Sequence, residues 1–258
     1  MARSPPRHRA WTKGGGWPVS GLAIVPALIA AWLAGPPAAG AQEPVFDAAI
    51  VLAVDCSYSV DQEEFELQRG GLAQAFREPE IVEAIRSGAN GRIVISLVEW
   101  SDADSQVIVI PWTVVSGPAE AEALADRIGA MPRKLGEGGT AITAIMRFAG
   151  GMLLDAPFRA DRYVIDISSD GRNNTGGNPR LVRDQLAAAG ITINGLTILN
   201  EVPTLNYYFE RTIVGGPAYF VVVANDYAGY REAVLRKLLR EITAPQLSGL
   251  PQGGEGIP

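Results

Sequence analysis

Asp55-Cys56-Ser57-Tyr58-Ser59 is the stretch whose reading decides the fold. It follows an apolar, β-branched run at residues 48–54 that reads as a buried strand, and Asp61 then opens a segment with helical spacing. Asp, Ser and Ser at i, i+2 and i+4 therefore stand where a strand's carboxyl end passes into a helix. In an open α/β sheet, that edge is where ligands bind. One carboxylate and two hydroxyls converging there offer the oxygen donors that suit a hard divalent cation.

The rest of the chain repeats the alternation of strand and helix. Helical spacing covers 62–76, with Phe65, Leu67, Leu72 and Phe76 on its apolar side, and recurs at 118–131, 141–154, 179–189 and 227–242. Strands are expected at 92–100, 106–112, 163–168, 191–199 and 219–224. The first two of these are joined by the acidic turn Asp102-Ala103-Asp104, which predicts a hairpin. Pro179 near a helix start and Gly190 at its end are standard punctuation. The predicted class is α/β, a doubly wound and mostly parallel central sheet with one antiparallel strand and helices on both faces.

The opening forty residues belong to a different kind of segment. Arg3, Arg7, Arg9 and Lys13 precede an apolar core at 21–33, then Pro36-Pro37 and the small-residue run Ala38-Ala39-Gly40-Ala41. This is the layout of a secretory signal peptide, cleaved after Ala41. The expected organisation is therefore a signal peptide at 1–41, one domain at 42–243 and a disordered Pro/Gly-rich tail at 244–258, in the periplasm or secreted. An uncleaved N-terminal membrane anchor is the alternative, weakened by an apolar core shorter than the ~18–20 residues of a spanning helix. After cleavage no stable membrane insertion is expected.

Counting then excludes whole classes of function. The leader takes four of the 22 basic residues and none of the 28 acidic ones, so the net charge moves from −6 to about −10. A chain that acidic is not expected to bind nucleic acid, whose affinity comes from Lys and Arg meeting phosphate. The single histidine, His8, leaves with the leader, and with it any Ser-His-Asp or Cys-His mechanism and the commonest zinc ligand. Cys56, the only cysteine, cannot form an intrachain disulfide and is read as a small buried hydrophobe. Gly136-x-Gly138-x-x-Ala141 imitates a dinucleotide fingerprint but lacks the preceding strand, and no P-loop or nucleophile-elbow motif occurs.

Two further segments belong with the first. Gly136-Glu137-Gly138-Gly139-Thr140 enters a helix, and Ser168-Ser169-Asp170-Gly171 ends a strand, so Thr140 and Asp170 are expected on the same sheet edge as Asp55. Taken singly, Ser57 and Ser59 are also explained by helix capping, and Asp170-Gly171 by a plain turn. Glu63, Glu64 and Glu66 read as a solvated face of the first helical turn. Trp100, Trp112, Tyr207 and Tyr208 read as packing residues and not as a binding cage, while Tyr58 is expected at the exposed rim.

Asp55-x-Ser57-x-Ser59, Gly138-Gly139-Thr140 and Asp170-Gly171, in this order across 47–242, resemble the metal-ion-dependent adhesion site of the von Willebrand factor A (VWA) domain. Pro203–Tyr208, Gly215-Gly216-Pro217 and Asn225-Asp226-Tyr227 resemble an exported bacterial VWA-like family of unknown function. The resemblance implies that Ser57, Ser59 and Thr140 ligate Mg²⁺ or Mn²⁺ through their hydroxyls. It implies that Asp55 and Asp170 act through bound water or as acceptors behind the ligands. It also implies a protein partner presenting an Asp or Glu carboxylate to the metal. Neutral hydroxyl ligands leave the cation's charge only partly compensated, hence attractive to such a group. Cys56 and the bulky Tyr58 depart from the commonest first-loop pattern. The expected function is non-enzymatic binding. The alternatives are a metal-dependent hydrolase, with Asp102 or Glu137 as base, and a structural domain with a vestigial metal site.

Overall fold

The computed structural model describes residues 45–136 and 138–244. The leader, Glu137 and all but the first residue of the expected tail lie outside the described residues. In chain order the elements are β1 (Val45–Phe46), β2 (Ala48–Asp55), α1 (Gln62–Arg77), α2 (Pro79–Arg86), β3 (Ile93–Trp100), β4 (Gln106–Val115), α3 (Pro118–Ala130) and α4 (Ile142–Leu154). They continue with β5 (Arg159–Ala160), β6 (Tyr163–Ser169), α5 (Pro179–Ala188), β7 (Ile191–Ile198), α6 (Leu205–Tyr208), a π turn at Phe209–Ile213, β8 (Val221–Ala224) and α7 (Tyr230–Thr243).

The six-stranded sheet has the order β4-β3-β2-β6-β7-β8 and is parallel except for the β3–β4 pair. This is the predicted α/β class. β2 and β3 are buried at every position because helices cover both faces, which is why they read as continuous apolar runs. Successive side chains of β2 still part to opposite faces. Ile50, Leu52 and Val54 enter a core with Phe65, Phe76, Leu124 and Leu238, whereas Ala49, Val51 and Ala53 enter one with Ile142, Ile145, Met146 and Phe209. β4 lies on the sheet edge, where Pro111 is tolerated without a backbone N–H, and it runs three residues beyond the expected end.

α1 begins with a reciprocal cap: Asp61 Oδ1 accepts from Glu64 N at 2.8 Å, and Glu64 Oε2 accepts from Asp61 N at 2.9 Å. Leu67 is 43% exposed and does not belong to its apolar face. Gly71 takes the place instead, where an added Cβ would stand 3.0 Å from the Tyr230 ring of α7. α2 is unpredicted because its buried stripe is only Ile81 and Ile85, one turn apart. α7 starts three residues later than expected, because Asp226 Oδ1 accepts from Gly229 N at 2.8 Å and holds the approach as a turn.

A charged cluster lies between α7 and the sheet. Lys237 is fully buried and forms ion pairs with Asp166 of β6 and, at 2.9 Å, with Glu241. Asn194 Nδ2 donates to the same Glu241 oxygen at 2.9 Å. Burial, and then the charge of Asp166, pushes the Glu241 carboxyl up to about 8 from its ordinary 4.5. The unfolded chain therefore releases this proton first. The contribution is full below about 4.5 and is lost as pH rises to about 8, so stability falls across that window. Glu241→Gln keeps the amide oxygen as acceptor and removes the titration. It is expected to flatten the fall of melting temperature between these two pH values, as followed by circular dichroism.

Candidate metal centre

Asp55 is the last residue of β2 and is fully buried. Its Oδ1 accepts from Ser57 N at 2.8 Å, folding the first loop back over the strand end, and its Oδ2 accepts from Ser169 Oγ of β6. Ser57 Oγ lies 3.4 Å from Ser59 Oγ, and Ser59 Oγ donates to Asp170 Oδ1 at 2.7 Å. Asp170 Oδ2 accepts from the Tyr227 hydroxyl at 3.0 Å. Both carboxylates thus spend all their oxygens on orienting the loops.

The second loop is tied to the first by Tyr58 N donating to Gly138 O at 2.9 Å. Gly138 and Gly139 pass between close neighbours, so a side chain at either would require those neighbours to give by a few tenths of an ångström. A Cβ on the first would stand 3.0 Å from Ser101 Oγ, and one on the second 3.0 Å from Thr175 and 3.1 Å from Asn174. Thr140 is held by Asn174 on both sides of its peptide, with Thr140 N donating to Asn174 Oδ1 at 2.9 Å and Asn174 N donating to Thr140 O at 3.0 Å. Gly171 lets the Thr140 hydroxyl approach the end of β6, since a Cβ there would lie 3.1 Å from Thr140 Oγ1. The structure gathers Asp55, Ser57, Ser59, Thr140 and Asp170 at the carboxyl edge of β2 and β6.

The family model for a protein of unknown function (DUF1194) matches residues 45–246. The chain belongs to the DUF1194 family. Solved structures similar to this DUF1194 protein place its fold among VWA domains. A von Willebrand factor type A protein from Catenulispora acidiphila matches at TM-score 0.52 and 16% identity, over 77% of this chain and 43% of that one. The pilus adhesin SpaC from Lactobacillus rhamnosus GG matches at 0.53 and 15%, over 78% and 31%. Manganese-loaded TRAP protein from Plasmodium vivax matches at 0.50 and 17%, over 76% and 73%. The chain spans less than half the length of the first two. No curated protein sequence matches it.

The electrostatics of the DUF1194 site are those of uncompensated acids. Burial first, and the nearby Asp170 charge second, raise Asp55 to about 7, while burial raises Asp170. Neither forms an ion pair among the described residues. The donors available to a cation are hydroxyls backed by carboxylates, a hard oxygen set that fits Mg²⁺ or Mn²⁺. No cluster of three or more His, Cys, Asp or Glu side chains suited to a metal occurs among the described residues.

Several contributors to this edge escape sequence reasoning. Ser169 sits inside the quoted Ser168-Ser169-Asp170-Gly171 segment, yet nothing local marks it as the partner of Asp55. The sequence expects Tyr227 in a helix; it lies instead in the turn before α7, and its hydroxyl donates to Asp170. Arg133 has no sequence signal at all. It donates to Val60 O at 2.8 Å and Cys56 O at 2.9 Å, and its guanidinium lies 5.8 Å from the Phe65 ring centroid, bracing the first loop from behind. Cys56 is buried, and burial pushes its thiol far up, leaving it an unreactive hydrophobe. Tyr58, 75% exposed, stands at the rim as expected. Asp102 lies beside the glycine loop, 3.4 Å from where a Gly139 Cβ would be.

Proposed function

We propose that this chain is an exported VWA-like binding domain that holds Mg²⁺ or Mn²⁺ and, through it, engages an Asp or Glu carboxylate of a protein partner. The Ser57, Ser59 and Thr140 hydroxyls face the cation, and Asp55 and Asp170 orient them from behind. The observation that carries this reading is the pair of buried, mutually repelling acids with hydroxyls between them and, among the described residues, no arginine or lysine in an ion pair with either. A hard cation supplies the missing positive charge there and keeps a coordination position for an incoming acid. The manganese-loaded state of TRAP and the adhesin role of SpaC support a metal and a binding role, respectively. Export rests on the leader at 1–41, cleaved after Ala41, with the domain at 42–243 and a tail at 244–258. Among the described residues, no helix is long and apolar enough to cross a membrane.

The test is a thermal melt of the protein in Mg²⁺, in Mn²⁺ and in EDTA. A cation well above its dissociation constant is expected to raise Tm by about 5–10 °C. The double variant Ser57→Ala, Asp170→Ala should keep its far-ultraviolet circular dichroism and lose the rise. It should also lose Mg²⁺-dependent capture of protein from a periplasmic fraction. A wild-type melt indifferent to both metals would overturn the reading, as would capture unchanged in the variant.

A further inference from the structure

The segment Thr204–Tyr208, which the metal reading leaves unused, contributes to a polar cavity. Arg172, Arg180, Arg211, Thr204, Tyr207 and Tyr208 line a space of about 470 Å³. The Arg172 guanidinium is already placed: its Nη2 donates to Thr204 Oγ1 at 2.9 Å, and the group lies 5.5 Å from the Tyr208 ring centroid. Arg172 and Arg180 both bear electrostatically on the Tyr208 hydroxyl, which burial nevertheless pushes above its ordinary range. Arg211 is anchored through its backbone, Arg183 Nη1 donating to its carbonyl at 3.1 Å. Among the described residues, none of Arg172, Arg180 and Arg211 forms an ion pair.

Three unpaired guanidiniums around one cavity are unusual in a chain of net charge −6, and they repel one another unless an anion sits among them. We propose that this cavity is a binding site for a phosphate dianion, free or as the monoester of a small molecule. Guanidinium forks match phosphate oxygens in pairs, and a dianion offers enough acceptors to serve all three arginines where a lone carboxylate does not. Tyr207, 55% exposed, gives the organic part of an ester an apolar face. This corrects the expectation that Tyr207 is a packing residue. The site is independent of the metal reading, because none of its residues belongs to the metal set.

Isothermal titration of the protein in EDTA and low salt tests this, with inorganic phosphate and glucose 6-phosphate as probes and acetate as control. EDTA removes any route through a bound cation, so the result is independent of the metal's fate. Both phosphates are expected to bind and acetate is not. Tighter binding of glucose 6-phosphate identifies an ester as the occupant, and equal binding identifies the free ion. Because the arginines stay charged, affinity should climb as pH passes through the second phosphate ionisation, at about 6–7. Arg180→Gln with Arg211→Gln, two exposed side chains that form no side-chain hydrogen bond or ion pair among the described residues, should weaken binding about tenfold or more at unchanged Tm. Failure of both phosphates to bind, acetate binding equally well, or unchanged affinity in the double variant would each overturn the proposal.

Discussion

Lys237→Met is expected to lower the folding stability by about 3–5 kcal/mol, enough to take a marginally stable domain close to unfolding. The side chain is wholly buried between α7 and the sheet, where its ammonium faces Asp166 and Glu241. Methionine fills a similar volume, so the loss is one of charge and not of packing. Without the ammonium, Asp166 is left as a buried carboxylate in the middle of β6, between β2 and β7, with no other ion-pair partner among the described residues. Restoring neutrality should recover much of the loss. The triple variant Lys237→Met, Asp166→Asn, Glu241→Gln replaces uncompensated charge with neutral groups, and such swaps of buried ion pairs are often tolerated. Urea denaturation decides the matter. A Lys237→Met midpoint close to wild type would show that the cluster contributes little.

Gly216→Ala should cost about 3 kcal/mol. Its φ is +90°, a region in which an L side chain is strained, and its Cβ would stand 2.3 Å from Ile191 O and 2.9 Å from Thr192 Cα. Both atoms are backbone of β7 and cannot rotate away. The neighbouring chain is strapped to the same strand, with Ile193 N donating to Gly215 O at 2.8 Å and Thr192 Oγ1 donating to Pro217 O at 2.8 Å. The alanine must therefore break this strap or displace the strand. Gly151→Ala in α4 provides the contrast. Nothing lies within 4 Å of its added Cβ, so the gain in helix propensity should leave the protein as stable as wild type or about 1 kcal/mol more so. Equal urea midpoints for the two variants would refute the close-approach account of Gly216.

The same physics explains what was legible before the structure. Strand runs such as 48–54 and 163–168 are visible because two covered faces demand apolar residues at every position. Helix spacing and punctuation located α3, α4 and α5 to within a residue or two. Leu67 misled because an apolar residue beside a real stripe carries no mark of which way it faces. The burial of Lys237 is illegible for the opposite reason, since a lysine in an amphipathic helix ordinarily points to water. Its burial depends on Asp166, some seventy positions earlier and in another element.

By itself, the sequence determined that an α/β sheet ends at Asp55-x-Ser57-x-Ser59 and that Thr140 and Asp170 belong to that edge, because strand ends and loop positions follow from local pattern. Its one histidine, His8, falls in the segment read as a leader, which counts against histidine chemistry in the domain we propose. Tertiary structure alone decided what surrounds that edge: Ser169 and Tyr227 on the two acids, Asn174 on Thr140 and Arg133 behind the first loop. It alone brought Arg172, Arg180 and Arg211 around one cavity. These are pairings between residues far apart in the chain, and a hydrogen bond or a shared field leaves no periodic trace in either partner's neighbourhood.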